Sequence, residues 1–221
     1  LLRCRSMLIY MRNWEFRMFC KYVKSMVAIV ALTVTSIAHA GLITTTFAGG
    51  NNYAGNMFDV TTFDNSLTIT SADLHLQDSG TSALVSIYTR VGGYAGFEAD
   101  SSAWTLQDQA SVISAGDGNA TLFDFADFNL NSNTTYGFYF TVTDYAVRMN
   151  YTNGNNVYSN ADLQITTGIG RGENDFAGNV FNPRTWNGTL HYNTTSIPEP
   201  ASYGIFALGL IGLVLRKRNK A

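Results

Sequence analysis

Cysteine and lysine are absent from the middle of this 221-residue chain. Both cysteines, Cys4 and Cys20, lie near the N-terminus, and no lysine occurs between residues 41 and 196. Disulfide bonds, thiol catalysis and cysteine-ligated zinc are therefore excluded from residues 41–196. A segment of this length without disulfides must be held together by its core, and it is long enough to bury one.

Positive charge is also scarce in the same segment. Residues 41–196 contain four arginines against fourteen aspartates and glutamates, so their net charge is near −10, whereas the whole chain carries −2. Such an acidic surface argues against binding to nucleic acid or to anionic lipid. It is typical of an extracellular domain, and it suits one that attracts divalent cations.

A sustained helical period is missing from residues 41–196 as well. Period-two runs separated by Gly, Asn, Asp and Ser predict nine to eleven short strands, typical of a single antiparallel β-sandwich of the jelly-roll kind. No repeat of about 20–50 residues occurs, which argues against a propeller or a solenoid. The predicted strands are 42–48, 56–63, 67–76, 83–91, 104–114, 120–130, 135–142, 146–151, 157–159, 162–167 and 186–192.

Alternation also predicts which side chains face the core. In strand 135–142 one face carries Tyr136, Phe138, Phe140 and Val142. Strand 67–76 changes phase near Ser71, which predicts a β-bulge at that point.

The N-terminal 40 residues resemble an export leader. Starting from Met18, a basic stretch precedes an apolar run over residues 25–37, and Ala38-His-Ala40 follows as a small-x-small cleavage site. We predict cleavage by signal peptidase before Gly41, with an uncleaved N-terminal anchor as the alternative. Residues 1–17 are interpreted as sequence upstream of the true start.

The C-terminal residues form three parts in a fixed order. Pro198-Glu199-Pro200 blocks helix entry, an uncharged run covers 203–215, and Arg216-Lys217-Arg218 follows. The run is short for a bilayer span, but it lacks the polar face of a core helix. The cations favour a cytoplasmic end. We therefore predict a transmembrane helix at 203–215.

This arrangement closely resembles the PEP-CTERM sorting tail of Gram-negative surface proteins. The resemblance covers only about a tenth of the chain, residues 197–221. It implies that the inner membrane holds the precursor through the tail, and that exosortase, a membrane-embedded transpeptidase-like enzyme, reads the tail as a processing signal. The mature form is then expected at the cell surface or outside the cell. Residues 41–196 are left as the extracellular domain.

Catalytic motifs are lacking in this domain. It has no nucleophile elbow, P-loop, zinc-protease helix or dinucleotide fingerprint. The glycine-rich stretch 168–172 is not followed by a helix, so we interpret it as a loop between strands. His75 and His191 lack ligand spacing and are interpreted as partly buried or surface imidazoles. The close carboxylate pairs are Glu98 with Asp100, Asp124 with Asp127, and Glu173 with Asp175.

Two kinds of ligand site remain as predictions. Calcium prefers hard oxygen ligands, which two Asp- and Asn-bearing loops provide through Asp117, Asn119, Glu173 and Asp175. Aromatic rings at loops and strand starts can stack on sugars, although large aromatics more often fill cores. The aromatic residues singled out for a carbohydrate site are Tyr94, Phe97, Trp104 and Trp186.

The function predicted from these features is that of an exported, non-catalytic surface or matrix protein. It has no cofactor, with calcium as a possible exception, and exopolysaccharide is its natural ligand class by resemblance. A secreted polysaccharide hydrolase is the alternative, because a glycosidase needs two carboxyl groups about 5–10 Å apart and the domain is rich in carboxylates.

Overall fold

Thirteen β-strands and one short 3₁₀ helix make up the part of the chain that the structure, a computed structural model, describes: residues 38–143 and 147–195. Residues Ala38–Ser196 form one compact unit. The strands are β1 (Ala38–Thr44), β2 (Asn51–Tyr53), β3 (Gly55–Thr62), β4 (Ser66–His75), β5 (Ser82–Val91), β6 (Thr105–Ile113), β7 (Ala120–Leu130), β8 (Thr135–Val142), β9 (Met149–Asn153), β10 (Val157–Ser159), β11 (Leu163–Arg171), β12 (Val180–Trp186) and β13 (Gly188–Thr195), and the 3₁₀ helix is Ser101–Ala103.

The strands form two antiparallel sheets. The smaller sheet has the order β1-β13-β4-β7, and the larger has the order β2-β9-β12-β11-β3-β8-β5-β6, with β10 paired to the first half of β11. Buried side chains from both sheets, such as Ile69 of β4 and Phe140 of β8, belong to one core. The prediction of an all-β antiparallel fold is confirmed, and the shared core is that of a sandwich. The jelly-roll connectivity stays a prediction.

Alternation places the residues of β8 as the sequence predicts. Tyr136, Phe138, Phe140 and Val142 all lie in the main core. Tyr139 points to the other face of the larger sheet, where it belongs to a second, smaller cluster. Hence one strand supports packing on both sides of the larger sheet.

The predicted bulge in β4 is confirmed. The pairing between β4 and β13 shifts between His191 and Tyr192, and the pairing between β4 and β7 shifts between Ile69 and Ser71. Because an extra residue enters there, Ile69 and Ala72 can both be buried although they are three positions apart.

The predicted number of strands is too low, because β2 and β12 were missed. Strand β2 has only three residues, two of them asparagine, and β12 contains Pro183 among polar residues. Neither has the alternation that marks a half-buried strand. The prediction that residues 168–172 form a loop is also wrong, since Gly168 to Arg171 are the end of β11. A Cβ at Gly168 would collide with the carbonyl oxygen of Met57, so the glycine allows β11 to lie this close to β3.

Candidate functional site

The residues predicted for export and sorting lie at or beyond the edges of the described residues. Ala38, Ala40 and Gly41 belong to β1 and pair with β13. Pro198, Glu199, Pro200, Arg216, Lys217 and Arg218 lie outside the described residues, as does the predicted span 203–215. In the described part of the chain, no helix is long and apolar enough to cross a membrane. Signal cleavage and the transmembrane helix stay predictions.

A pocket, here called the outer-face pocket, lies between two loops on the larger sheet. One loop, residues 92–104, joins β5 to β6, and the other, residues 172–179, joins β11 to β12. The cavity has a volume of about 690 Å³. Residues that line it include Glu98, Asp100, Arg171, Phe176, Gly178 and Val180.

An aromatic cluster on the outer face supports this pocket. The ring of Phe176 lies 5.0 Å from that of Tyr139 and 5.7 Å from that of Trp104, measured between centroids. The Trp104 indole N–H donates to the carbonyl of Phe97 at 2.9 Å. Both loops are therefore fixed to the same buried cluster, which also includes Met57 and Ile169.

Arg171 is the buried cation of the site. Only 2% of its surface is exposed, and its Nη2 donates to the carbonyls of Phe176 at 2.5 Å and Ala177 at 2.7 Å. Its buried Nε has no hydrogen-bond partner. No carboxylate among residues 38–143 and 147–195 forms an ion pair with it. A buried charge without a counter-charge is costly, so its retention needs a reason.

The loop held by Arg171 is strained. Asp175 and Phe176 both have positive φ, 51° and 64°. Left-handed backbone is unfavourable for a bulky residue such as phenylalanine. Strain of this kind persists where the surrounding structure enforces it, often at functional sites.

The opposite loop is anchored by Asp59. Its Oδ1 accepts from the backbone N–H of Tyr94 at 2.8 Å, and Arg90 donates to the carbonyl of Gly93. Burial raises the pKa of Asp59, while the Tyr94 N–H and Arg90 oppose the rise. Gly93 has φ +79°, and a Cβ there would lie 3.2 Å from both carboxylate oxygens, so only glycine fits easily.

Three of the four aromatics predicted for a carbohydrate site are brought together. Tyr94 and Phe97 lie on loop 92–104, Phe97 is 36% exposed, and Trp104 lies beneath them at 8% exposure. The assignment of Trp186 is wrong. That residue is 1% exposed in the main core and is stacked on Phe58 at 4.8 Å, so its ring is closed to a sugar.

The residues predicted for calcium fall in two separate loops. Asp117 Oδ1 accepts from the Asn150 amide at 2.8 Å and lies 2.9 Å from Nε2 of the buried His75. Asn119 donates to the Asp117 carbonyl at 3.1 Å, while Glu173 and Asp175 flank the outer-face pocket. Among the described residues, no three His, Cys, Asp or Glu side chains are grouped for one metal ion. Calcium binding stays a prediction.

Sequence reasoning missed Arg171 and Phe176 as site residues. Phe176 follows two acidic positions and has no pattern around it. The available signal was rarity, because Arg171 is one of only four arginines in an acidic domain.

Of the carboxylate pairs, Glu98 and Asp100 line the pocket. Asp100 Oδ1 accepts from both the Ser102 N–H at 3.1 Å and the Ser102 hydroxyl at 2.6 Å.

Comparison with known proteins identifies only the C-terminal segment. Residues 196–218 match the family model of the PEP-CTERM protein-sorting motif. No curated protein matches the chain. Solved structures that match are the VP2 subviral particle of infectious bursal disease virus (14% identity, 84% of this chain, 51% of that chain, TM-score 0.24) and the T13 particle of the same virus (13%, 84%, 48%, 0.27). The chain spans about half the length of these proteins. TM-scores this low carry no argument.

Proposed function

We propose that the β-sheet domain of this protein is a non-catalytic carbohydrate-binding domain. The PEP-CTERM sorting motif implies that the protein is exported, and that an exosortase-type enzyme processes its membrane-anchored precursor. The protein acts at the cell surface or in the extracellular matrix. The observation that carries the binding proposal is the convergence of two loops on a pocket with charged walls and an aromatic floor.

The chemistry of the outer-face pocket suits a sugar. The Glu98 carboxylate accepts from sugar hydroxyls and Arg171 supplies positive charge. The Phe97 ring, 36% exposed and with the Arg90 guanidinium 3.6 Å from its centroid, offers its remaining surface for stacking. The volume of about 690 Å³ lies within the range of about 300–1,000 Å³ common for small-ligand sites.

A binding role is favoured over hydrolysis by the position of Asp100. Its Oδ1 already caps the 3₁₀ helix through two hydrogen bonds from Ser102. A glycosidase requires two carboxyl groups that both face the scissile bond. The hydrolase alternative predicts the release of reducing ends from a bound polysaccharide, whereas the binding proposal predicts none.

For the tail, we propose that residues 203–215 insert in the inner membrane with Arg216, Lys217 and Arg218 in the cytoplasm. Cleavage then occurs at Pro198-Glu199-Pro200 on the outer side. Strand β13 ends at Thr195, just before the matched motif, so such a cut leaves both sheets intact.

Two tail variants test the sorting proposal in a host with the processing enzyme. Leu210→Arg places a cation in the short apolar run, at a cost of about 2.5–3.5 kcal/mol on insertion scales, and should abolish insertion. Glu199→Ala should insert normally but stay unprocessed. Immunoblots compare precursor and product. Normal maturation of Glu199→Ala alongside failure of Leu210→Arg would show a simple anchor.

Variants of the pocket test the binding proposal. The full-length protein in detergent is applied to an array of neutral polysaccharides, with calcium and with a chelator. Phe97→Ala and Glu98→Gln should each lose binding, while Leu122→Ala, an exposed change on the smaller sheet, should keep it. Equal binding by all three variants would exclude the pocket. Loss of binding with the chelator would give calcium a role.

A further inference from the structure

Five side chains in successive ring contacts form a second feature, here called the arginine–aromatic ladder, in which Tyr151 is buried and the other four reach the surface. Tyr53 of β2 and Phe181 of β12 stack with ring centroids 4.6 Å apart and planes inclined by 17°. The Arg148 guanidinium lies 5.5 Å from the Tyr53 centroid. The Arg184 guanidinium lies 5.7 Å from the Phe181 centroid and 5.8 Å from that of Tyr151. The ladder shares no residue with the lining of the outer-face pocket.

In the part of the chain that the structure describes, neither guanidinium of the ladder forms an ion pair with a carboxylate. Within the described residues, the ion pairs are those of His75 with Asp117 and His191 with Asp73, and no arginine takes part. Arg184 Nη1 donates to its neighbour's carbonyl, that of Pro183, at 2.8 Å. Its buried Nε has no hydrogen-bond partner.

This isolation is unexpected from composition. Residues 41–196 contain fourteen carboxylates and four arginines, so random placement on the surface would favour pairing. Instead, three of the four arginines stack on aromatic rings: Arg148 and Arg184 in the ladder, and Arg90 on Phe97 beside the outer-face pocket. Stacking holds a guanidinium in place while leaving its N–H edges free for an anion. A fixed donor also loses less side-chain entropy on binding.

The residues around the ladder are rich in amides. Asn51 and Asn52 precede Tyr53, Asn153 pairs with Arg184, and Asn182 follows Phe181. Amides and tyrosine hydroxyls hydrogen-bond well to sugar hydroxyls. The centre of a protein–protein interface is more apolar than this. The surroundings therefore favour a saccharide over a protein partner.

We propose that the arginine–aromatic ladder binds an acidic polysaccharide, with the guanidiniums of Arg148 and Arg184 pairing with carboxylates of its uronic acid units. A single exposed ion pair contributes little, so repeated carboxylates on one polymer are needed. The remaining surface repels polyanions through its net charge near −10, which confines such a polymer to the ladder.

The test uses polygalacturonate as the probe and its methyl ester as the matched neutral polymer. Full-length protein in detergent should bind polygalacturonate at least about tenfold more tightly than the ester, and added salt should weaken the binding. Equal binding of both polymers, or binding that salt leaves unchanged, overturns the proposal.

Charge-matched variants locate the binding. Arg148→Gln, exposed and free of core contacts, should reduce affinity several-fold, and the double variant with Arg184→Gln about tenfold or more. Ser111→Asp, an exposed change on β6 at the opposite edge of the larger sheet from β2, lowers the net charge by the same one unit and should change affinity less than about twofold. Tyr53→Phe should retain binding and Tyr53→Ala should lose it. A loss in Ser111→Asp equal to that in Arg148→Gln would show a general charge effect instead. A circular dichroism spectrum confirms the fold of each variant.

Three further measurements distinguish this proposal from binding to other partners and from binding in the outer-face pocket. Equal binding of polyglutamate would assign the ladder to acidic peptides and overturn the saccharide assignment. Concentration-dependent light scattering that Arg148→Gln abolishes, without polymer binding, would assign it to a second copy of the chain. Phe97→Ala should leave polygalacturonate binding intact, so failure of the outer-face pocket and failure of the ladder are distinguishable.

Discussion

The two faces of strand β8 differ in what they stabilise. On one face Phe138 and Phe140 are fully buried in the main core, whose members are all apolar or aromatic. On the other face Tyr139 belongs to a small cluster beneath two loops, beside the buried Arg171. The same backbone thus carries a core on one side and a candidate binding site on the other.

The outer face also contains most of the unfavourable features near this strand. The Arg171 Nε is unpartnered, and two consecutive residues, Asp175 and Phe176, have positive φ. Proteins commonly depart from local rules where they bind or react. The comparison teaches that the inner face is arranged for stability and the outer face for holding loops in position. The following changes test that division, beginning with the largest expected effect.

Phe138→Ala should cost about 3–5 kcal/mol of unfolding free energy, because it removes a fully buried ring from the main core. Urea denaturation followed by circular dichroism measures the loss, and reductant should not alter the spectrum because residues 41–196 lack cysteine. Leu122→Ala, at a side chain 59% exposed, should change stability by less than about 0.5 kcal/mol. A near-neutral Phe138→Ala would refute the assigned inner face.

Arg171→Gln should cost about 1–3 kcal/mol, because the carbonyls of Phe176 and Ala177 lose their charged donor. Hydrogen exchange should increase in residues 172–179 and stay unchanged in β8. Carbohydrate binding in the outer-face pocket should be lost. Arg148→Gln is the matched exposed control. Equal destabilisation of both variants would show that Arg171 does not hold the loop.

Asp59→Asn should alter the pH dependence of stability. Burial raises the pKa of Asp59 in the folded state, so the folded protein binds this proton more tightly than the unfolded chain does. The group is therefore favourable below its unfolded pKa of 3.8, and that contribution is lost as pH rises through the folded pKa. Asparagine keeps the acceptor for Tyr94 and should remove this slope. Melting curves across acidic pH measure it, and an unchanged slope would contradict the burial argument.

Tyr139→Phe should have the smallest effect, within about 0.5 kcal/mol. Burial raises the pKa of Tyr139 to about 12, with Thr141 and the Phe176 backbone N–H nearby, but its hydroxyl forms no hydrogen bond of normal geometry. The variant keeps the ring that supports Phe176. A loss above about 1 kcal/mol would reveal a bonded hydroxyl, and the outer face would then depend on polar contacts more than the packing indicates.

Sequence alone predicted those parts of the fold that follow from local alternation. The bounds of β7 and β8, the inner face of β8 and the bulge in β4 all match the structure. Strand β12 was missed because tertiary pairing overrides its proline and polar residues. The outer-face pocket joins loops about 80 residues apart in sequence, and no local pattern encodes that approach. Tyr94 and Phe97 were found as aromatics in a loop and Trp104 as one at a strand start, whereas Arg171 had only its rarity as a signal.

The pairing of β1 with β13 determines the order in which an exported chain can complete its fold. Among the described residues, β1 pairs with no other strand, and Gly41, the predicted first residue after signal cleavage, lies opposite Tyr192. An export route that threads the chain N-terminus first, as the predicted signal peptide implies, would deliver β1 long before its partner and leave it an open edge meanwhile. Contacts so distant in sequence form slowly. The smaller sheet therefore closes only when the last strand arrives, and the sorting motif follows that strand directly. On that route, completion of the fold and presentation of the tail to its processing enzyme would be consecutive events.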